Sequence, residues 1–412
     1  MIHIAPGPVR GRLRAPASKS HMQRLVLAAS LAQGESLIRD PGDSEDGRAC
    51  LEVIRALGAG VVREGALLRI RGGGPARSQV LDCGESGTCL RMAVPVAALG
   101  SETRTLLGRG TLAARPMAMV LEPLRQLGAW CETRGGFAPI TVRGPLRGGR
   151  AVVDGRESSQ LLSGLLLALP HAAGDSELEV LGLRSRPYVR MTLEVLASFG
   201  LRAEHTPDFS AFRIPGGQTS RPVDLAVEGD WSGAAFLLVA GAVAGEVTVE
   251  GLDPASAQAD RAVLEALAAA GADLRWEGGA LRVAAGALRA FQFDATDCPD
   301  LFPPLAALAC HARGTTRIAG VARLAHKESD RAAALVSELG GMGARVAVRD
   351  GCLEIAGGPL EGGTVDPHHD HRMAMACAVA GLGSRYGVEM DGEACVAKSY
   401  PEFFKDLESI RG

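Results

Sequence analysis

The chain has little excess charge, no long apolar run and no paired cysteines, and each absence removes a class of function. Its 412 residues carry 44 basic and 47 acidic side chains, a net charge of -3, so the basic stripe of a nucleic-acid partner is missing. No stretch reaches the ~18 to 20 unbroken apolar residues of a membrane span. Nine cysteines are scattered without a C-x-x-C pair, which suits reduced core thiols better than a disulfide frame or a zinc site. The first residues read as a strand rather than as a charged and then apolar leader, and the expected location is cytoplasmic. Low-complexity stretches and long linkers are missing too. Lysine is scarce: of the 44 basic residues only Lys19, Lys327, Lys398 and Lys405 are lysines. The first three fall in polar clusters at expected helix starts, where a compact ammonium differs in use from a planar guanidinium.

What the chain does have is a repeat of about 70 residues. Gly58, Gly128, Gly200, Gly271 and Gly343 each close a run with i, i+3, i+4 apolar spacing, as a left-handed residue does just past a helix. A short strand, a turn such as Arg63-Glu64-Gly65 or Arg349-Asp350-Gly351, and a second strand follow, which is the pattern of a hairpin. A second class of helix recurs in the same rhythm, starting near residues 19, 87, 158, 230, 298 and 370. These helices are apolar nearly all round and rich in Ala and Leu, which places them inside the protein. One unit therefore reads strand, buried helix, strand, amphipathic helix, hairpin. The sixth amphipathic helix ends at Gly412 without its hairpin, and the N-terminal segments MIHIA and VRGRLRAPA are expected to supply the missing strands. Two α/β domains of three units follow, residues 15–227 and residues 1–14 with 228–412.

The buried helices open on Ser18-Lys19-Ser20, Glu85-Ser86-Gly87-Thr88, Ser158-Ser159-Gln160, Asp230-Trp231-Ser232, Asp297-Cys298-Pro299-Asp300 and Asp370-His371-Arg372. Any one of these reads as an N-cap. Capping leaves Lys19, Arg24, Arg91 and Arg372 unexplained, because a cation near a helix N-terminus costs ~0.3–1 kcal/mol. A bound anion reverses that penalty, and helix N-termini with their unpaired N–H groups are ready anion sites. Several such starts imply a ligand set with more than one phosphate or carboxylate. The amphipathic helices add Arg115-Pro116, Ser185-Arg186-Pro187, Lys327-Glu328-Ser329-Asp330-Arg331 and Lys398-Ser399-Tyr400-Pro401, with the prolines read as N1 residues. Glu328 and Arg331 form an i, i+3 pair that reads equally as a solvated surface ion pair. Asp300 is a second carboxylate of the same unit. The run His368-His369-Asp370-His371 has metal-binding residue types, but neighbours at one helix start cannot all face one ion, and no metal site is assigned.

In their order along the chain, PASKSHMQR, ESGTCLR, ARPM, SSQLLSGLL, SRPYVRMTL, EGDWSGAAF, TDCPD, HKESDR, DHRMAMA and CVAKSYPEFF resemble the 5-enolpyruvylshikimate-3-phosphate synthase family (3-phosphoshikimate 1-carboxyvinyltransferases) over essentially the whole length. The resemblance implies two domains of three βαβαββ repeats with buried helices, an inside-out α/β barrel type, with the active site in the cleft between them. It implies a transferase of chorismate and aromatic amino-acid biosynthesis that moves the enolpyruvyl group of phosphoenolpyruvate to the 5-hydroxyl of shikimate 3-phosphate and releases phosphate, with no cofactor and no metal. By the family pattern shikimate 3-phosphate meets Lys19, Ser20, Arg24, Ser158, Ser159, Gln160, Ser185, Asp300 and Lys327. Phosphoenolpyruvate meets Lys19, Gly87, Arg91, Arg115, Gln160, Arg331, Arg372 and Lys398. Asp300 is expected as the base on the hydroxyl, with Glu328 and Lys19 carrying protons. A monomer acting on these two small substrates is expected.

Three residues depart from the family pattern: Glu85, Met92 and Arg323. A sister family acting on UDP-N-acetylglucosamine shares the repeat, but it has Lys-Asn where this chain has Lys19-Ser20 and a loop cysteine that GRGTLAARPM lacks. A non-catalytic repeat scaffold would scatter its polar groups over outer faces instead of gathering them at helix starts.

Overall fold

The computed structural model describes residues 1–325 and 327–411, so His326, which begins the HKESDR segment, and the terminal Gly412 lie outside it. Twelve α-helices run along the described chain: α1 Lys19–Leu31, α2 Glu45–Ala56, α3 Gly87–Ala97, α4 Leu121–Gln126, α5 Gln160–Ala168, α6 Arg186–Ser198, α7 Trp231–Ala244, α8 Val263–Ala270, α9 Phe302–Cys310, α10 Arg331–Gly341, α11 His371–Leu382 and α12 Phe403–Ser409. The odd-numbered helices are the apolar ones. In α7 every residue from Trp231 to Ala242 is buried, and α11 is buried from His371 to Leu382. A fully buried Leu or Val contributes ~1.5–3 kcal/mol of transfer free energy, so these Ala- and Leu-rich helices form the cores.

The even-numbered helices bury one face and carry charge on the other. Ser44 caps α2 by accepting a hydrogen bond from the Gly47 amide, and Asp330 caps α10 by accepting one from Ala333. At their far ends Gly58, Gly128, Gly200, Gly271 and Gly343 all have positive φ, from 77° to 111°. At Gly58 the backbone also comes so close to the carbonyls of Gly74 and Pro75 that a Cβ would collide with both.

Two starts differ from expectation because of proline. Arg115 is extended between two short 3-10 turns, and α4 begins only at Leu121, since the residue before a proline is pushed out of the helical region. The fifth inner helix opens as a 3-10 turn, Pro299–Leu301, before α9 begins at Phe302 with Pro303 and Pro304 in its first turn, where a missing N–H is tolerated. No described helix is long and apolar enough to cross a membrane. The nine cysteines are free thiols, seven of them buried.

The chain divides into two compact units, Lys19–Val227 and Met1–Ser18 with Glu228–Gly412. Each unit holds three sheets. Five of the six combine a parallel pair of strands with a hairpin that adds two antiparallel strands, and in three of those five the parallel pair is formed by consecutive strands across a helix. Gly149–Asp154 beside Ser176–Leu181 is one such parallel pair, and Gly60–Glu64 with Leu67–Arg71 is one such hairpin.

The N-terminal strands are placed differently from the expectation that both would serve the sixth unit. Ile2–Ile4 does join that sheet, antiparallel to Val388–Met390. Val9–Arg14 instead lies parallel to Gly245–Glu250 in the sheet of the fourth unit. The matching strand of the first unit, beside Glu35–Arg39, is Asp224–Ala226. Each strand that leads up to a crossing thus stays in the unit it comes from, and the helix after it, α1 or α7, belongs to the other unit.

Candidate active site

Within Lys19–Val227 the polar starts of α1, α3 and α5 are tied to one another by named hydrogen bonds. Gln160 donates through Nε2 to Thr88 Oγ1 (2.8 Å) and accepts at Oε1 from Arg91 Nη1 (2.8 Å), while Arg91 Nη2 donates to the Pro116 carbonyl (3.2 Å). Gly87 is needed where it stands: a Cβ there would lie 2.9 Å from Arg115 Nη1 and 3.4 Å from Arg91 Nη1. Two buried guanidinium groups therefore crowd the first turn of a helix whose own end is positive. Their mutual repulsion and the helix dipole both favour an anion there.

Lys19 is 12% exposed, and its Nζ lies 3.0 Å from Asp46 Oδ2. Arg24 is buried at the base of the cluster, donating to Thr192 Oγ1 (2.8 Å), the Ser20 carbonyl (2.8 Å) and Ser163 Oγ (3.3 Å). These partners are all neutral, and burial brings the Arg24 pKa down to about 10, with Tyr188 opposing slightly. Arg24 braces α1 against α5 and α6.

Ser158 Oγ accepts from the Gln160 amide (3.2 Å) and Ser159 is buried beside it. Ser185 sits at the start of α6 in the left-handed region, φ 55°. Such a conformation costs a non-glycine residue ~1–3 kcal/mol and concentrates at ligand sites.

The second unit brings together the carboxylates. Arg331, 1% exposed, donates through Nη1 to Asp300 Oδ1 (2.7 Å), through Nη2 to Glu328 Oε2 (2.7 Å), and through Nε and Nη2 to Asp370 (2.7 and 3.2 Å). The alternative of a solvated surface ion pair for Glu328 and Arg331 is thereby excluded. Asp300 also receives Lys327 Nζ at 3.2 Å and Arg372 Nη2 at 3.3 Å. Burial opposes the charge on Asp300, but Arg372, Lys327 and Arg331 outweigh it and hold this carboxyl well below the usual range. Arg372 is itself buried, and its Nη1 has no hydrogen-bond partner among the described residues. Lys398, 5% exposed, closes the 3-10 turn Glu393–Lys398.

Asp46 and Asp260 lie outside the motifs of the sequence, where Asp370 reads as an N-cap. Asp370 caps α11 by accepting from the Arg372 amide (3.0 Å) while also holding Arg331, a double duty that no local pattern reveals. Asp260 is fully buried and accepts from Ser232 Oγ; desolvation first, then the charge of Asp300, pushes its pKa up to about 6. Of the histidine run, His368 pairs with Glu338 Oε1 (2.9 Å), whereas His371 is buried in α11. Among the departures, Glu85 accepts from Thr111 Oγ1 (3.2 Å) on the loop leading to Arg115, and Met92 is fully buried. Arg323 lies partly exposed in the turn Val321–Arg323.

Comparison with known proteins agrees with this chemistry. The family profile described as EPSP synthase (3-phosphoshikimate 1-carboxyvinyltransferase) matches residues 4–407. The chain is 43% identical to the 3-phosphoshikimate 1-carboxyvinyltransferase of Aeropyrum pernix over 99% of its own length and 95% of that protein. It is 38% identical to the enzyme of the same name from Methanocorpusculum labreanum, over 99% and 97%. The solved EPSP synthase of Acinetobacter baumannii superposes with a TM-score of 0.83 at 27% identity, covering 99% of this chain and 98% of that one. The enolpyruvyl transferase NikO of Streptomyces tendae shares the fold, with a TM-score of 0.78 at 20% identity.

The chain belongs to the EPSP synthase family.

Proposed function

We propose that this member of the EPSP synthase family transfers the enolpyruvyl group of phosphoenolpyruvate to the 5-hydroxyl of shikimate 3-phosphate, releasing phosphate on the route to chorismate and the aromatic amino acids. The observation that carries the reading is Asp300, a carboxylate held among Lys327, Arg331 and Arg372. Both clusters serve this one reaction. Lys19, Ser20, Arg24, Ser158, Ser159, Gln160 and Ser185, with Asp300 and Lys327, hold shikimate 3-phosphate. Lys19, Gly87, Arg91, Arg115 and Gln160, with Arg331, Arg372 and Lys398, hold phosphoenolpyruvate.

The hydroxyl oxygen bonds to C2 of phosphoenolpyruvate as its proton passes to Asp300, and C3 receives a proton, with Glu328 and Lys19 as the proton carriers. The resulting adduct carries a methyl group. Loss of a methyl proton then expels phosphate and restores the double bond. Asp300 gains basicity only as its cations turn to another anion, so binding of the phosphoenolpyruvate carboxylate and phosphate to Arg331 and Arg372 is what readies it. The arginines and Lys398 then stabilise the developing charge without reorganising. The same reading has the enzyme working in the cytoplasm as a monomer.

A coupled assay of phosphate release tests the proposal. Release is expected with phosphoenolpyruvate and shikimate 3-phosphate, and none with UDP-N-acetylglucosamine in its place. Silence with the former defeats the reading.

A further inference from the structure

Gln23 lies in α1 four residues after Lys19, is wholly buried, and belongs to neither set of expected ligands. Its side-chain amide donates one hydrogen to the Asp46 carbonyl at 2.8 Å and the other to Ser86 Oγ at 2.8 Å. A backbone carbonyl can only accept, so the nitrogen must face Asp46 and the orientation of the amide is fixed. That orientation leaves Gln23 Oε1 buried without a hydrogen-bond partner among the described residues. An apolar side chain of the same shape would avoid that cost, so the two donated bonds are what the amide supplies.

The Ser86 acceptor leads to the phosphoenolpyruvate set, and the Asp46 acceptor leads to Lys19, which is proposed for both ligands. Asp46 holds the Lys19 ammonium at 3.0 Å. Ser86 is the N-cap of α3, where its Oγ accepts from the Cys89 amide at 3.2 Å, and the next residue is Gly87, packed against Arg115 and Arg91. Ser86 and Asp46 are 0% and 4% exposed, so water does not replace the amide if it is lost. Ser158, Ser159 and Ser185 stand at the starts of α5 and α6, outside this chain of bonds.

Resting on the function proposed above, we propose that Gln23 is a positioning residue for the enolpyruvyl donor: it fixes the start of α3 against the start of α2, and thereby sets Gly87, which belongs to the phosphoenolpyruvate set alone.

Steady-state kinetics of wild type, Gln23→Met, Ser86→Ala and the double variant test this, with melting temperatures measured alongside. In Gln23→Met the KM for phosphoenolpyruvate rises about tenfold or more while that for shikimate 3-phosphate stays within about threefold. Ser86→Ala repeats the split, and the double variant falls short of the product of the two single effects, because the Gln23–Ser86 bond is lost in both. Should Gln23→Met fail to fold, Ser86→Ala carries the test. Equal rises in the two KM values, no rise, or multiplicative effects in the double variant overturn the inference while leaving the function intact. A wild-type protein without turnover overturns both.

Discussion

At the scale of single residues, Arg331 organises one cluster and Asp300 is its proposed base. Arg331 serves three carboxylates from inside the protein, and removing one partner of a buried pair costs ~3–5 kcal/mol because a charge is left uncompensated. Asp300 is a quarter exposed, so its replacement is tolerated better than that of the fully buried Asp370. In Asp300→Ala, kcat is expected to fall by ~10²–10⁴, the usual weight of a general base, while calorimetry still detects binding of both ligands; near-normal turnover would remove Asp300 from the chemistry.

Asp260 gives a second test, through pH. Its folded pKa is raised to about 6 by desolvation and then by Asp300. The stability linked to its proton is therefore fully present below the unfolded value near 3.8 and is lost as pH rises through 6. Asp260→Asn carries no such charge, so its melting temperature relative to wild type should improve between pH 5 and pH 7. A constant difference across that window would show that Asp260 does not titrate there.

At the scale of elements, the helix starts hold the chemistry. Gly87→Ala places a methyl group 2.9 Å from Arg115 Nη1, and the KM for phosphoenolpyruvate should rise about tenfold, equivalent to ~1.4 kcal/mol. An unchanged KM would mean that Arg115 can move aside without consequence.

Much of this scale was legible in the sequence. The glycines at the helix ends show as left-handed positions because few other residues sit there cheaply, and the inner helices show by being apolar all round. The EPSP-type motifs include most of the cationic residues of the two clusters because each motif is a short local run. What stayed hidden depends on distance through space. Gln23 and Ser86 are 63 residues apart, Lys19 and Asp46 come from different helices, and Asp370 looked like an ordinary N-cap. Arg115 was misread as a helix start because the repeat suggested one, whereas Pro116 governs the backbone locally.

At the scale of the whole molecule, the repeat does not close within one continuous stretch. Asp224–Ala226 completes the sheet that begins beside α1, and Val9–Arg14 completes the sheet beside α7. The sequence pattern supplied six units, but it could not tell which sheet each end strand would enter, since both N-terminal segments have the same short alternating character. A fragment of residues 19–227 contains every strand of its unit and should melt cooperatively when expressed alone. One of residues 19–223 leaves Glu35–Arg39 with an open edge and should lose that cooperativity. Equal melting of the two fragments in circular dichroism would show that the exchanged strand adds nothing.

The account stands most directly on the fate of C3 in phosphoenolpyruvate. With wild-type protein, phosphoenolpyruvate and shikimate 3-phosphate in heavy water, proton and phosphorus NMR should show phosphate formed one for one with an enolpyruvyl ether. That ether should carry deuterium in its methylene group, because the adduct's methyl gains a solvent-derived proton before it loses one. Phosphate without the ether, or an ether whose methylene stays free of deuterium, would contradict it.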